Sequence, residues 1–245
     1  MTSSNIGNVV NINDYINEDI DVIKEDVMNE LIIKEDVKKE DIVNLNLINN
    51  LIIFDWDDTL FATTSIGYSE SDINDKKFSS ELESNFIILS EIVLKVLQKA
   101  IKYYKVVIIT NAEIGWVEFS SQKLIPDVYK FIREHNIDII SAREKYKNKF
   151  NNHLEWKTHT FQDFLDSLGN ISLNVTSFGD NISERMALKN LYGINLDLKK
   201  SIKFIEAPTI KHLINELRLI FDCFDEIISC VEDLDIMLTI TLIEP

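Results

Sequence analysis

Three carboxylates fall within four positions, at Asp55, Asp57 and Asp58, and the hydroxyl of Thr59 follows them. They close a short apolar run, Leu51-Ile52-Ile53-Phe54, whose length and β-branched content predict a buried strand over 51–55. Asp55 and Asp57 then stand at the carboxyl end of that strand, where open α/β sheets bind ligands. Carboxylates this close repel, and holding them together costs free energy unless a cation or a shared proton compensates. A divalent metal is the simplest compensation, and hard oxygen donors of this kind suit Mg²⁺. The competing reading is a polar loop that caps the next helix. A calcium loop of the EF-hand type fits badly, because no glycine stands at its sixth position and the stretch follows a strand.

Further polar groups recur at element ends. Val106 to Ile109 form a second apolar run that ends in Thr110 and Asn111. Lys157 begins a predicted helix over 157–168, with Lys147, Lys149 and Arg143 as rival cations nearby. Val175 to Phe178 predict a strand that ends in Gly179 and Asp180, with Glu184 one helical turn on. The elements that must position these groups alternate. Helices are expected over 84–104, 124–135, 183–191 (capped by Ser183) and 209–228 (capped by Thr209), and further strands over 137–140 and 202–205. That alternation predicts an α/β fold, a Rossmann-like parallel sheet with helices on both faces. Trp56, Trp116 and Trp156 sit beside the polar groups, where core packing explains them at least as well as stacking on a substrate. The four histidines show no metal-ligand spacing.

The 245 residues suffice for one sizeable core, and the 45% hydrophobic content is that of a globular chain. A net charge of −16 and a pI near 4.6 argue against nucleic acid or an anionic membrane as partner. They leave room for a phosphorylated substrate, since a bound metal and one lysine can reverse the local field. Cys223 and Cys230 form no metal or disulfide framework and are expected as reduced thiols. The first fifteen residues lack the basic and apolar segments of a secretory signal, and no apolar run is long enough to span a membrane. The expected location is the cytoplasm or nucleus.

Residues 1–48 differ from the rest. Residues 1–50 carry eleven Asp/Glu against four Lys, and Lys-Glu-Asp recurs at Lys24, Lys34 and Lys39. So little apolar surface predicts an acidic, low-complexity, disordered leader, with a partner-binding segment as the alternative. The main domain is expected over 49–230. The tail, 231–245, alternates apolar residues and is expected as an edge strand.

Taken together and in order, these pieces resemble the haloacid dehalogenase-like (HAD) superfamily of phosphatases. Asp55-Trp56-Asp57-Asp58-Thr59 matches its first motif, Asp-x-Asp-x-Thr/Val, and Val106 to Thr110 match its second. Lys157 is the candidate for the lone lysine of the third. Phe178-Gly179-Asp180-Asn181-Ile182-Ser183-Glu184 matches the fourth, with Glu in the last acidic place. The resemblance covers about residues 50–210 and implies a HAD-like fold. It further implies Asp55 as nucleophile, Asp57 as general acid/base, and Lys157 as the residue that offsets charge and holds Asp55. Thr110, with Asn111 beside it, would bind phosphoryl oxygens. Mg²⁺ would be held by Asp55, by the backbone carbonyl of Asp57, by Asp180, and by Glu184 directly or through water. An acid at Asp57 favours phosphoester hydrolysis, because the dehalogenases and phosphonatases of the superfamily lack one. The stretches after the first and third motifs are too short for a full cap domain, which implies an open site suited to a phosphoprotein or bulky phosphoester. The polar stretch 63–80 could form a small flap. A small-metabolite phosphatase and a non-catalytic binding protein on the same fold are the alternatives.

Overall fold

The structure, a computed structural model, describes residues 8–11, 49–67, 69–75, 77–103, 105–169 and 171–239. Strand β1 is Asn8–Asn11 and β2 is Asn49–Phe54; two short helices, α1 (Thr63–Ile66) and α2 (Glu70–Asp75), precede the long α3 (Ser80–Ala100). Then come β3 (Lys105–Thr110), α4 (Trp116–Leu124), α5 (Pro126–Glu134), β4 (Asp138–Ser141), α6 (Ala142–Tyr146) and α7 (His153–Ser167). The chain continues through β5 (Leu173–Gly179), α8 (Ile182–Lys189), β6 (Leu196–Lys203), α9 (Ile210–Asp222), α10 (Phe224–Ser229) and β7 (Leu234–Thr239).

Period-two alternation along the strands builds two apolar faces. Ile52, Phe54, Val106 and Ile108 meet α3 through Leu89, Val93 and Leu97 on the first face. Leu51, Ile53, Val107 and Ile109 meet Phe161 and Leu165 of α7 and Leu188 of α8 on the second. Strands buried on both sides must read as continuous apolar runs, which is why the sequence shows them so plainly.

All seven strands pair in parallel, in the order β1-β7-β6-β5-β2-β3-β4. From β4 to β7 this is the doubly wound order 3-2-1-4-5-6, and its direction reverses between β2 and β5, the switch point where such sheets bind ligands. The connections β2 to β3 and β3 to β4 cross the first face, while β4 to β5 and β5 to β6 cross the second. The step from β6 to β7 heads toward the opposite edge, yet α9 and α10 lie on the first face. Its hand is therefore opposite to the others, an exception to the usual rule. Beneath β7 the second face is held instead by Arg185 of α8, which grips Asp235 through two 2.6 Å hydrogen bonds.

Several expectations need correction. The tail strand is internal, because Asn8–Asn11, within the segment expected to lack structure, pairs beyond it at the edge. The rest of the acidic leader and its partner-binding alternative lie outside the described residues, as do Ile240 and Leu242. The helix expected over 209–228 breaks at Cys223, and the segment 116–124, given no element, is helical. Asn181, not Ser183, caps α8. The stretch 63–80 holds α1 and α2, anchored by buried Ile66 and Ile73, and no separate cap domain occurs among the described residues. Among the described residues, no helix is long and apolar enough to cross a membrane.

Candidate functional site

The switch point brings the polar strand ends together. Phe54 and Phe178 are partners in register and stack at 4.9 Å, and the Asp55 N–H donates to the Phe178 carbonyl at 2.9 Å. Asp55 therefore leaves β2 beside the point where Asp180 leaves β5. Lys157, in the second turn of α7, is 1% exposed and sends its ammonium between Asp55 and Glu184. Its Nζ lies 2.7 Å from Asp55 Oδ1 and donates to Glu184 Oε1. The rival cations go elsewhere. Lys147 pairs with Glu144, Lys149 lies over the Tyr146 ring, and Arg143 pairs with Glu113.

Glu184 serves two ends at once. Its Oε2 accepts the Asn181 N–H at 3.1 Å, closing a capping box at the start of α8. Its Oε1 accepts the Ser183 hydroxyl at 2.7 Å as well as the Lys157 ammonium. Glu184 thus closes the start of α8 and binds Lys157 at the same time. Gly179 is what lets it lie there, since a Cβ at that position would stand 2.3 Å from Glu184 Cγ.

Three carboxylates around one ammonium leave the cluster short of positive charge. Burial pushes the Asp55 carboxyl up to about 7; Lys157 opposes this, while Glu184 and Asp57 add to it. Burial, then repulsion from Asp55 and Glu184, pushes Asp180 up to about 9. For Lys157, burial works against the charge, but Asp55 and Glu184 outweigh it and raise its pKa above the usual range. Side-chain oxygens of Asp55, Asp180 and Glu184 all lie within 4.8 Å of one another, a hard-donor set of the kind Mg²⁺ takes. Asp55 Oδ1 is buried and takes no aligned hydrogen bond among the described residues, so the ion pair with Lys157 does not saturate it. These residues fit a divalent cation, with Asp55 and Asp180 nearer to hand than the already engaged Glu184.

The carboxylate of Asp57 does not join this set. Its Oδ1 accepts the Thr63 hydroxyl at 2.5 Å and the Trp116 indole N–H at 2.8 Å, and its Oδ2 accepts the Thr110 hydroxyl at 3.3 Å. It faces a cleft of about 600 Å³ lined in part by Asn111, Glu113, Ile114, Trp116 and Arg143. Thr110 thus touches Asp57 and accepts the Ala112 N–H at 3.0 Å, and the Asn111 amide donates to the His153 carbonyl at 3.4 Å. Sequence reasoning missed Thr63 and Trp116 as partners of Asp57. No local pattern signals them, because each arrives from a turn whose path the core decides. Trp56 and Trp156 are packing residues, donating to Ser120 Oγ and to the Phe150 carbonyl.

The site therefore has two halves, a buried carboxylate–lysine cluster and, two residues along β2's exit, a solvent-facing carboxylate in a cleft. Compared with family models, with curated proteins and with solved structures, the chain finds no match.

Proposed function

We propose that this chain is a Mg²⁺-dependent phosphomonoester hydrolase of the HAD type, working through an aspartyl-phosphate on Asp55. The observation that carries the reading is Lys157, fully buried and joined to both Asp55 and Glu184 beside Asp180. A buried lysine held against two carboxylates at a switch point has a purpose if a dianionic phosphoryl group must approach the nucleophile. The motif resemblance and the doubly wound sheet support it.

In the first step an oxygen of Asp55 attacks phosphorus and the bond to the leaving oxygen breaks. Asp57 gives that oxygen its proton. In the second step water attacks phosphorus, the bond to Asp55 breaks, and Asp57 takes the water's proton. Lys157 keeps Asp55 in line and offsets charge throughout. Thr110 and Asn111, at the end of β3, supply polar contacts to the phosphoryl oxygens. Asp55 and Asp180, with Glu184 behind them, would hold a Mg²⁺, and that cation would supply neutralising charge for the transferring group. Between the first motif and the core helix α3 the described residues form only the short α1 and α2, which leaves the cleft open to a bulky phosphoester or phosphoprotein.

Phosphate release from a panel of small and protein phosphoesters, with and without Mg²⁺, tests this. Turnover that needs the metal and vanishes in Asp55→Asn is the expected result. Silence on every ester, together with no Mg²⁺-induced rise in melting temperature, would sink it.

A further inference from the structure

We infer that Trp116 is a positioning residue that fixes which oxygen of Asp57 carries the transferable proton. The inference rests on the hydrolase reading above. Trp116 is 8% exposed at the first position of α4 and its indole N–H meets Asp57 Oδ1 at 2.8 Å. An indole N–H is a donor only; it cannot accept. A hydroxyl oxygen of a carboxylic acid accepts far more weakly than its carbonyl oxygen, so a fixed donor at Oδ1 favours the acid form that leaves Oδ1 unprotonated. The Thr63 hydroxyl, 2.5 Å from the same oxygen, adds a second donor there, although a hydroxyl can rotate and the indole cannot.

The proton of the acid form therefore resides on Oδ2. Among the described residues that oxygen has one long contact, the Thr110 hydroxyl at 3.3 Å, a group able to accept as well as donate. Trp116 is also a wall of the cleft that Asp57 faces, so the leaving group rests beside the ring that orients its proton donor. Gly115, at φ +88° before the helix, allows the sharp entry that swings the indole toward Asp57. The ring's packing is a separate matter, met by Phe61 and Phe119 at 6.4 and 6.3 Å. A phenyl ring could supply that packing but no donor.

The test compares an alkyl phosphate, whose poor leaving group needs the proton, with p-nitrophenyl phosphate, which does not. Trp116→Phe is expected to lower kcat on the alkyl ester at least tenfold more than on the aryl ester, since general acid catalysis is worth roughly 10²–10⁴-fold. If the variant fails to fold, benzothienylalanine at the same position keeps the indole shape without the N–H. Equal losses on the two esters, or no loss on either, would overturn the inference. Silence of the wild type on these esters and on the wider panel, together with no Mg²⁺-induced rise in melting temperature, overturns the hydrolase reading itself. The hydrogen bond has its own readout in that case, because Asp57→Ala should move the Trp116 indole proton resonance upfield.

Discussion

Asp55 and Glu184 share one ammonium with Asp180 beside them, and each carboxylate lies in a place where charge is poorly solvated. Removing Lys157 would leave carboxylates buried and uncompensated, so Lys157→Met should destabilise the metal-free protein by about 3–5 kcal/mol near pH 8. The same substitution should cost less at pH 5. The sign follows from linkage, since the folded pKa values of Asp55 and Asp180 stand at about 7 and about 9, above the ordinary 3.8. Groups raised in this way favour the fold when protonated, so their contribution is full below about pH 4 and is lost as pH rises through 7 and then 9. Metal-free protein should therefore weaken across that window in urea titrations. Mg²⁺, which needs the ionised forms, should raise the melting temperature more at pH 8 than at pH 5.5; an equal shift at both would count against these ligands. At this scale the sequence was informative wherever a candidate site residue sits at or just past a strand end. Asp55, Asp57, Asp180 and Glu184 are announced by the apolar runs before them. Trp116 is not, because a tertiary hydrogen bond across 59 positions leaves no local period, and Thr63, six positions on, is brought back by a turn that no period marks.

The contact of β5 with α8 turns on a missing side chain. Gly179→Ala would drive a Cβ into Glu184, which is pinned by Lys157, Ser183 and the Asn181 N–H and cannot step aside. The expected cost is about 1–3 kcal/mol, as for other overpacked positions. In a Glu184→Ala background most of that cost should disappear, and a double-mutant cycle by chemical denaturation would show the coupling. Additive losses would mean that Gly179 matters for another reason. Elements with strong apolar periods, such as β2, β3, β5 and α3, were legible to within a few residues. Helix α4 was not. Its Ser120 and Ser121 hydroxyls bond back to the carbonyls of Trp116 and Val117, and serine, valine and aromatics are indifferent helix formers. What holds α4 is Ser120 accepting the Trp56 indole at 3.0 Å, a partner far away in sequence. The break between α9 and α10 was equally hidden, since the apolar spacing runs through Cys223 without a glycine or proline to mark it.

Across the whole molecule, ionisable groups are buried well away from the carboxylate cluster too. Glu216 of α9 is fully buried; its Oε1 accepts the Ile205 N–H at 2.7 Å and its Oε2 has no partner among the described residues. Burial raises its pKa to about 8 from 4.5, against the pull of Ile205 and Lys203. Its stabilising share is thus present below about pH 4.5 and lost as pH passes 8. Glu216→Gln, which keeps the acceptor, should match wild type near pH 4 and grow steadily more stable than it as pH rises toward 8, the gain exceeding about 1 kcal/mol at pH 9. Matching stability curves would refute a buried neutral acid there. The sheet order adds a point about time. β1 pairs only with β7 among the described strands, and the ribosome makes β7 more than two hundred residues after β1. At about 5–20 residues per second that is a wait on the order of ten seconds or more. Asparagines at both ends of β1 limit its apolar surface to two valines, which lessens the pull toward a wrong partner during that wait. One edge strand of the sheet is thus made long before the neighbour it pairs with, so that edge is closed only after β7 has been made.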